Sequence, residues 1–73
     1  MSQQEFISAF EEILEMEPGT LKDSAKLEDL ENWDSVAMVT LMSVIDEKSG
    51  VQLSPRRIAT CATVNDVYLL TVA

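Results

Sequence analysis

The sequence predicts an all-α fold, a small bundle of three main helices plus one short helix, with a long loop between helices 1 and 2. Apolar residues recur at helical spacing in two long segments, and recognisable capping residues precede several of the predicted helices. The run 67–72 is apolar and rich in β-formers, but no second stretch offers it a partner strand, so a helix is favoured there over a strand. With 73 residues, the chain is expected to form one domain over residues 1–73 with a single modest core.

The first helix is predicted from a capping box at its start and a turn at its end. Ser2 and Glu5 have the spacing at which each side chain satisfies a backbone donor of the other residue. The apolar face that follows comprises Phe6, Phe10, Ile13 and Leu14, and the other side comprises Glu11, Glu12 and Glu15. Pro18-Gly19 is expected to end the helix, because proline cannot continue the hydrogen-bond ladder.

The second helix is predicted from about Ser35 to Ser49, after a loop without regular period from Glu17 to Asp34. Three leucines are expected to pin that loop to the core: Leu21, Leu27 and Leu30. Asp34 and Ser35 both suit a helix start, and the Asp34 carboxylate complements the positive end of the helix dipole. The apolar face of the helix is expected to comprise Met38, Leu41, Met42 and Ile45. Gly50 is well placed to end the helix in a left-handed conformation.

Two shorter helices are predicted in the last third of the chain. Ser54-Pro55 is typical of an N-cap followed by proline at the first helical position, and opens a short helix through about Cys61. Thr63 and Asp66 have the spacing of a second cap. The last helix would then contain Val67, Leu69, Leu70 and Val72.

The composition excludes several classes of function. Thirteen acidic residues stand against five basic ones, giving a formal net charge of −8, which disfavours nucleic acid and anionic membranes and favours basic partners. The chain has no histidine and a single cysteine, Cys61, so we expect no metal site and no internal disulfide, as in a reducing compartment. No basic and apolar leader begins the sequence, and no apolar run approaches the roughly 18 residues of a membrane span. We therefore expect a cytoplasmic protein. A monomer is expected because no exposed apolar face is left over once the predicted bundle forms.

A known family is similar along essentially the whole chain. The stretch Leu30-Glu31-Asn32-Trp33-Asp34-Ser35-Val36 resembles the Asp-Ser-Leu signature of acyl and peptidyl carrier proteins. It lies where those proteins have it, after a long leucine-pinned loop and at the start of the second helix. The closing segment 58–67 is similar to the short third helix of that family and to the Thr-Val-x-Asp start of its fourth helix.

The resemblance implies a carrier of thioester-bound cargo. In that family a phosphopantetheinyl transferase moves 4'-phosphopantetheine from coenzyme A onto the serine, which here is Ser35. Ser35 is expected to be an attachment point, not a catalytic nucleophile, because the chain contains no histidine and no other evident base to activate it. The chain is accordingly predicted to be non-catalytic. Chemistry is left to an acyl- or aminoacyl-loading ligase and to a downstream synthase or acyltransferase with a basic docking surface.

Partner recognition in the family uses the second helix and the loop before it. By position, the candidate docking residues are Asp34, Val36, Asp46 and Glu47. Trp33 stands where the family usually has a small residue, and Arg56 and Arg57 begin a helix that is often acidic in fatty-acid carriers. These departures favour a specialised pathway over bulk fatty-acid synthesis.

Two alternatives remain open at the level of sequence. One is a stand-alone aminoacyl or peptidyl carrier, and the other is a helical interaction module without a prosthetic group, in which Ser35 is incidental. For four further residues a structural role is preferred. Trp33 would cover the loop leucines, Cys61 would be a small apolar core residue, and Met38 and Met42 would belong to the core.

Overall fold

Four α-helices make up the regular structure of residues 1–72, the part of the chain that the computed structural model describes. They are α1 (Gln3–Ile13), α2 (Ser35–Ser49), α3 (Pro55–Ala59) and α4 (Val64–Val72), and a 3₁₀ turn, Leu27–Asp29, lies in the loop between α1 and α2. This part of the chain contains no strand, only one isolated bridge between Lys26 and Thr63. The predicted all-α fold is confirmed, and the run 67–72 is helical.

α1 begins as predicted but ends earlier. The Ser2 hydroxyl accepts from the Glu5 backbone N–H at 3.2 Å, and the Glu5 carboxylate accepts from the Ser2 N–H at 3.3 Å, which completes the capping box. The helix ends at Ile13, several residues before Pro18-Gly19. The reason is Glu15, whose backbone is left-handed with φ 58°.

Glu15 ends α1 in the way that a glycine usually does. Its N–H donates to the Glu12 carbonyl at 3.2 Å, and the Met16 N–H donates to the Glu11 carbonyl at 2.9 Å. Together these two bonds form a Schellman motif, in which the residue after the cap adopts the left-handed conformation. A residue with a Cβ adopts that conformation at a cost of about 1–2 kcal/mol.

The core contains the predicted apolar faces and one carboxylate. Its most deeply buried side chains are Phe6, Phe10, Leu14, Leu41, Ile45, Ile58, Val64 and Val67. The loop leucines also pack on this core, with Leu21 and Leu27 buried and Leu30 half-buried. The assignment of Glu11 to the exposed side of α1 is wrong, since only 3% of its surface is exposed.

α2 begins and ends where the sequence predicts. The Asp34 carboxylate accepts from the Ala37 backbone N–H at 2.8 Å, so Asp34 is the N-cap. Gly50 is the C-cap, with φ 73° in the left-handed region. Leu41 and Ile45 are fully buried, whereas Met38 and Met42 are half-buried and pack against the core.

The two short helices are capped as predicted. The Ser54 hydroxyl accepts from the Arg57 N–H at 3.3 Å, but α3 ends at Ala59, two residues before the predicted end. At α4, the Asp66 N–H donates to the Thr63 hydroxyl at 3.2 Å, and the Asp66 carboxylate accepts from the N–H groups of Thr63 and Ala62 at 3.1 and 3.0 Å. These bonds lower the pKa of the Asp66 carboxyl.

None of the helices within residues 1–72 is both long enough and apolar enough to cross a lipid bilayer. Nor does this range contain a group of three or more acidic, cysteine or histidine side chains placed to hold a metal ion.

Candidate functional site

Ser35 is the first residue of α2 and is exposed to solvent. The preceding residue, Asp34, has an extended backbone with φ −141° and ψ −174°, so the chain enters the helix abruptly at Ser35. Within the described range, the Ser35 hydroxyl makes no hydrogen bond, and it is therefore open to a reacting group. A serine at this position can be modified without disturbing the buried side chains of the helix.

The first turn of α2 leaves two backbone donors beside this hydroxyl. Asp34 satisfies the third and fourth N–H groups of the helix: its carboxylate accepts from Ala37 at 2.8 Å and its carbonyl accepts from Met38 at 2.9 Å. The N–H groups of Ser35 and Val36 find no acceptor among residues 1–72, and they lie at the positive end of the helix dipole. A phosphate ester on Ser35 would lie beside both donors, so the site fits an anionic group.

A shallow groove of about 310 Å³ runs from Ser35 between α2 and α3. Its walls are mainly apolar and comprise Leu27, Trp33, Asp34, Ser35, Met38, Ile58, Ala59 and Cys61. The half-buried Met38 and the buried Ile58 come from facing helices. The structure therefore joins the exposed hydroxyl to an apolar surface that sequence reasoning did not identify.

Trp33 and Asn32 tie the segment before Ser35 to α1. The Trp33 ring stacks on the Phe10 ring, with centroids 5.1 Å apart and planes at 30°. The Asn32 side-chain amide donates to the Leu14 carbonyl at 2.8 Å. Trp33 was predicted to cover the loop leucines. It lines the groove together with Leu27, but its aromatic stacking partner is Phe10 of α1.

A known family matches this chain over nearly its whole length. The family model described as the phosphopantetheine attachment site matches residues 4–70. The chain belongs to this family. It is thus a carrier protein for covalently bound 4'-phosphopantetheine. Membership of the family implies interaction with a transferase that installs the group and with synthase-type partners that use it. No individually curated protein matches the chain.

The four candidate docking residues of the carrier protein are all exposed, but they do not form one cluster. Asp34 and Val36 flank Ser35 directly, and 72% of the surface of Val36 is exposed. Asp46 and Glu47 lie on α2 11 and 12 residues after Ser35. At 1.5 Å per residue, Asp46 is therefore about 16 Å from Ser35 along the helix axis. Sequence reasoning missed Val39, which is 55% exposed and lies three residues after Val36.

Val39 belongs to a second shallow groove of the carrier protein, along the later part of α2. This groove has a volume of about 310 Å³ and is lined by Val39, Met42, Ser43, Asp46, Gln52 and Leu53. It therefore extends along α2 from the exposed Val39 to Asp46. Val36 and Val39 are three residues apart on a helix and therefore share a face, so the exposure of Val39 could have been inferred from that of Val36.

Cys61 of the carrier protein is half-buried, and its thiol donates to the Arg57 carbonyl at 3.5 Å. Burial raises the pKa of the thiol, the Asp66 carboxylate raises it further, and Arg57 partly opposes the rise. The neutral thiol is therefore favoured. This agrees with the interpretation of Cys61 as a small apolar residue, although it lines the groove beside Ser35 instead of lying in the centre of the core.

Proposed function

We propose that Ser35 is the residue to which 4'-phosphopantetheine is attached, and that the chain presents acyl or aminoacyl groups, held as thioesters, to partner enzymes. The observation that supports Ser35 is its place in the structure. It has an exposed hydroxyl at the start of α2, beside the two free N–H groups of Ser35 and Val36, within the residues that match the family. An anion attached there is stabilised by the helix dipole.

The residues of this chain hold the prosthetic group and leave the reactions to other proteins. When bound, the group supplies a terminal thiol that carries the cargo as a thioester. In the transfer, the Ser35 oxygen would bond to the phosphorus of the phosphopantetheine group while the pyrophosphate bond of coenzyme A breaks and 3',5'-adenosine bisphosphate leaves. The chain has no histidine to remove the hydroxyl proton. The nearest carboxylate in sequence, Asp34, is engaged as the helix cap. The base is therefore expected to come from the transferase, and the carrier itself is non-catalytic.

The docking surface is proposed to comprise Asp34, Val36, Asp46 and Glu47, extended by Val39. The exposed valines beside Ser35 offer an apolar anchor, and the carboxylates along α2 favour partners with a basic surface. On α3, however, the carrier presents two exposed arginines, Arg56 and Arg57. A partner whose docking surface is uniformly basic would be repelled there. This supports a specialised pathway over bulk fatty-acid synthesis. We also propose that the carrier acts in the cytoplasm.

The first experiment measures intact mass after incubation of the unmodified protein with coenzyme A and a promiscuous phosphopantetheinyl transferase. Wild type should gain one phosphopantetheine unit, and Ser35→Ala should gain none. Ser8→Ala is the matched control, because Ser8 is an exposed serine of α1 outside both grooves, and it should be modified like wild type. Folded wild type that gains no mass, while a known carrier is modified in parallel, would contradict the proposal and favour an interaction module.

A second experiment separates the two classes of cargo. The modified protein is offered to a panel of acyl-ligases and of adenylating enzymes that activate amino acids, and loading is again followed by intact mass. Loading by an acyl-ligase supports the acyl carrier, whereas loading only by adenylating enzymes supports a stand-alone aminoacyl or peptidyl carrier. Sedimentation of the same sample tests the expected monomer. A single cooperative unfolding transition would support one domain over residues 1–73.

A further inference from the structure

The C-terminal turn of α1 contacts the long loop at two places, one near the beginning of the loop and one near its end. Near the beginning of the loop, the buried Glu11 carboxylate accepts from the Leu21 backbone N–H at 2.9 Å. At the end of the loop, Asn32 donates to the Leu14 carbonyl at 2.8 Å. The loop is therefore held to one short stretch of α1 both where it begins and where it approaches Ser35.

Three consecutive residues before Ser35 each make a contact that fixes their position. Asn32 bonds to the Leu14 carbonyl, one of the carbonyls that the end of α1 leaves without a helical partner. Trp33 stacks on Phe10 at 5.1 Å and also donates its backbone N–H to the Leu30 carbonyl at 3.1 Å. Asp34 caps α2 through the Ala37 N–H. Each of the three residues that precede Ser35 is therefore in contact with α1 or α2.

We propose that Asn32 and Trp33 are positioning residues for the transfer of phosphopantetheine to Ser35, an inference that rests on the proposed function of Ser35. Their contacts with α1 hold the start of α2 in the one orientation in which the hydroxyl faces an incoming transferase. Without them, the segment samples other orientations, and only a fraction of the molecules presents Ser35 correctly. The apparent affinity for the transferase falls in proportion to that fraction.

The kinetic parameters distinguish this role from a purely structural one. A variant that loses some stability but remains folded still presents Ser35 in nearly every molecule, so its KM is unchanged. A variant that loosens the 32–34 segment lowers the competent fraction, so its KM rises while kcat, measured at saturation, stays the same. The test is therefore steady-state modification of the unmodified carrier by phosphopantetheinyl transferase, with the carrier concentration varied and coenzyme A saturating.

Asn32→Ala is expected to raise the KM for the carrier at least fivefold. The matched control is Gln3→Ala, which also removes an exposed side-chain amide, one that bonds to Asp23 and Asn65 away from Ser35. Its KM should remain within twofold of wild type. For Trp33, replacement by Leu should raise KM, whereas Trp33→Phe keeps an aromatic ring for Phe10 and should restore KM to near the wild-type value.

Fluorescence gives an independent measurement, because Trp33 is the only tryptophan of the chain. In Asn32→Ala, its emission should shift to longer wavelength at temperatures where circular dichroism shows the helices intact, and in Gln3→Ala it should not. If wild type is modified and the folded Asn32→Ala has a wild-type KM and emission, the inference is wrong while the proposed function stands. If wild type itself is not modified, the proposed function fails and the inference fails with it.

Discussion

A substitution of the buried Glu11 tests whether its hydrogen bond to Leu21 stabilises the long loop between α1 and α2. Only 3% of Glu11 is exposed, and its carboxylate accepts from the Leu21 N–H at 2.9 Å. Glu11→Met keeps a side chain of similar length but removes the acceptor, so the Leu21 N–H is left unsatisfied. Such a loss costs about 1–3 kcal/mol. For 73 residues, the whole free energy of unfolding is only about 4–11 kcal/mol at ~0.05–0.15 kcal/mol per residue.

Thermal and urea unfolding followed by circular dichroism would measure this loss. In a domain of this size, each kcal/mol corresponds to roughly 4–8 °C in Tm, so Glu11→Met should melt at least about 4 °C below wild type. Glu11→Gln retains an acceptor oxygen and should lose less. The exposed neighbour Glu12 provides the control, since Glu12→Met should change the free energy of unfolding by no more than about 0.5 kcal/mol. Equal Tm values for Glu11→Met and Glu12→Met would refute the conclusion that the Glu11–Leu21 hydrogen bond stabilises the loop.

Three further predictions concern the core and the helix ends. Ile45→Ala should cost about 2–5 kcal/mol in urea unfolding, because Ile45 is fully buried, and a wild-type midpoint would show that the packing of α2 is wrongly understood. Glu15→Gly should raise the free energy of unfolding by up to about 1 kcal/mol, because glycine adopts φ 58° without a Cβ clash; a lower Tm would contradict this. The pKa of Asp66 lies below its usual 3.8, so its ionised form stabilises the fold above about pH 4 and that stabilisation is lost as the pH falls through the lower folded-state pKa. Asp66→Asn should therefore show a shallower fall of Tm with acid than wild type, and parallel curves would argue against the cap.

The start and end of α2 were predictable from sequence because both are determined locally. Asp34 accepts from a donor three residues away, and Gly50 is the one residue near the end that adopts a left-handed backbone without a Cβ clash. The end of α1 was not predictable in this way. Pro18-Gly19 was expected to end the helix, but Glu15, which precedes that pair, adopts the left-handed conformation and ends it earlier. The bonds of the Schellman motif and the burial of Leu14 offset the strain at that position.

Polar side chains with distant partners were the other class that sequence reasoning missed. Glu11 bonds to Leu21 and Asn32 bonds to Leu14, at separations of 10 and 18 residues, which no local pattern contains. Glu11 did carry a signal, since it lies four residues after Ile7 and three before Leu14, at the edge of the apolar face. For Asn32 no such signal exists, because its role depends on where α1 ends.

The contacts around Ser35 explain how its side chain can be exposed while its backbone is held in a fixed position. The loop before it is fixed to α1 through Asn32. Three backbone bonds fix it to the start of α4: the N–H of Leu27 donates to the Ala62 carbonyl at 2.9 Å, that of Val64 to the Ala25 carbonyl at 3.0 Å, and that of Asn65 to the Asp23 carbonyl at 2.9 Å. These bonds hold the backbone without covering the hydroxyl. A flexible loop would impose an ordering cost on every encounter with a partner. In a carrier protein, the movement that delivers cargo can then reside in the attached arm, while the helix that bears it keeps one orientation toward each enzyme.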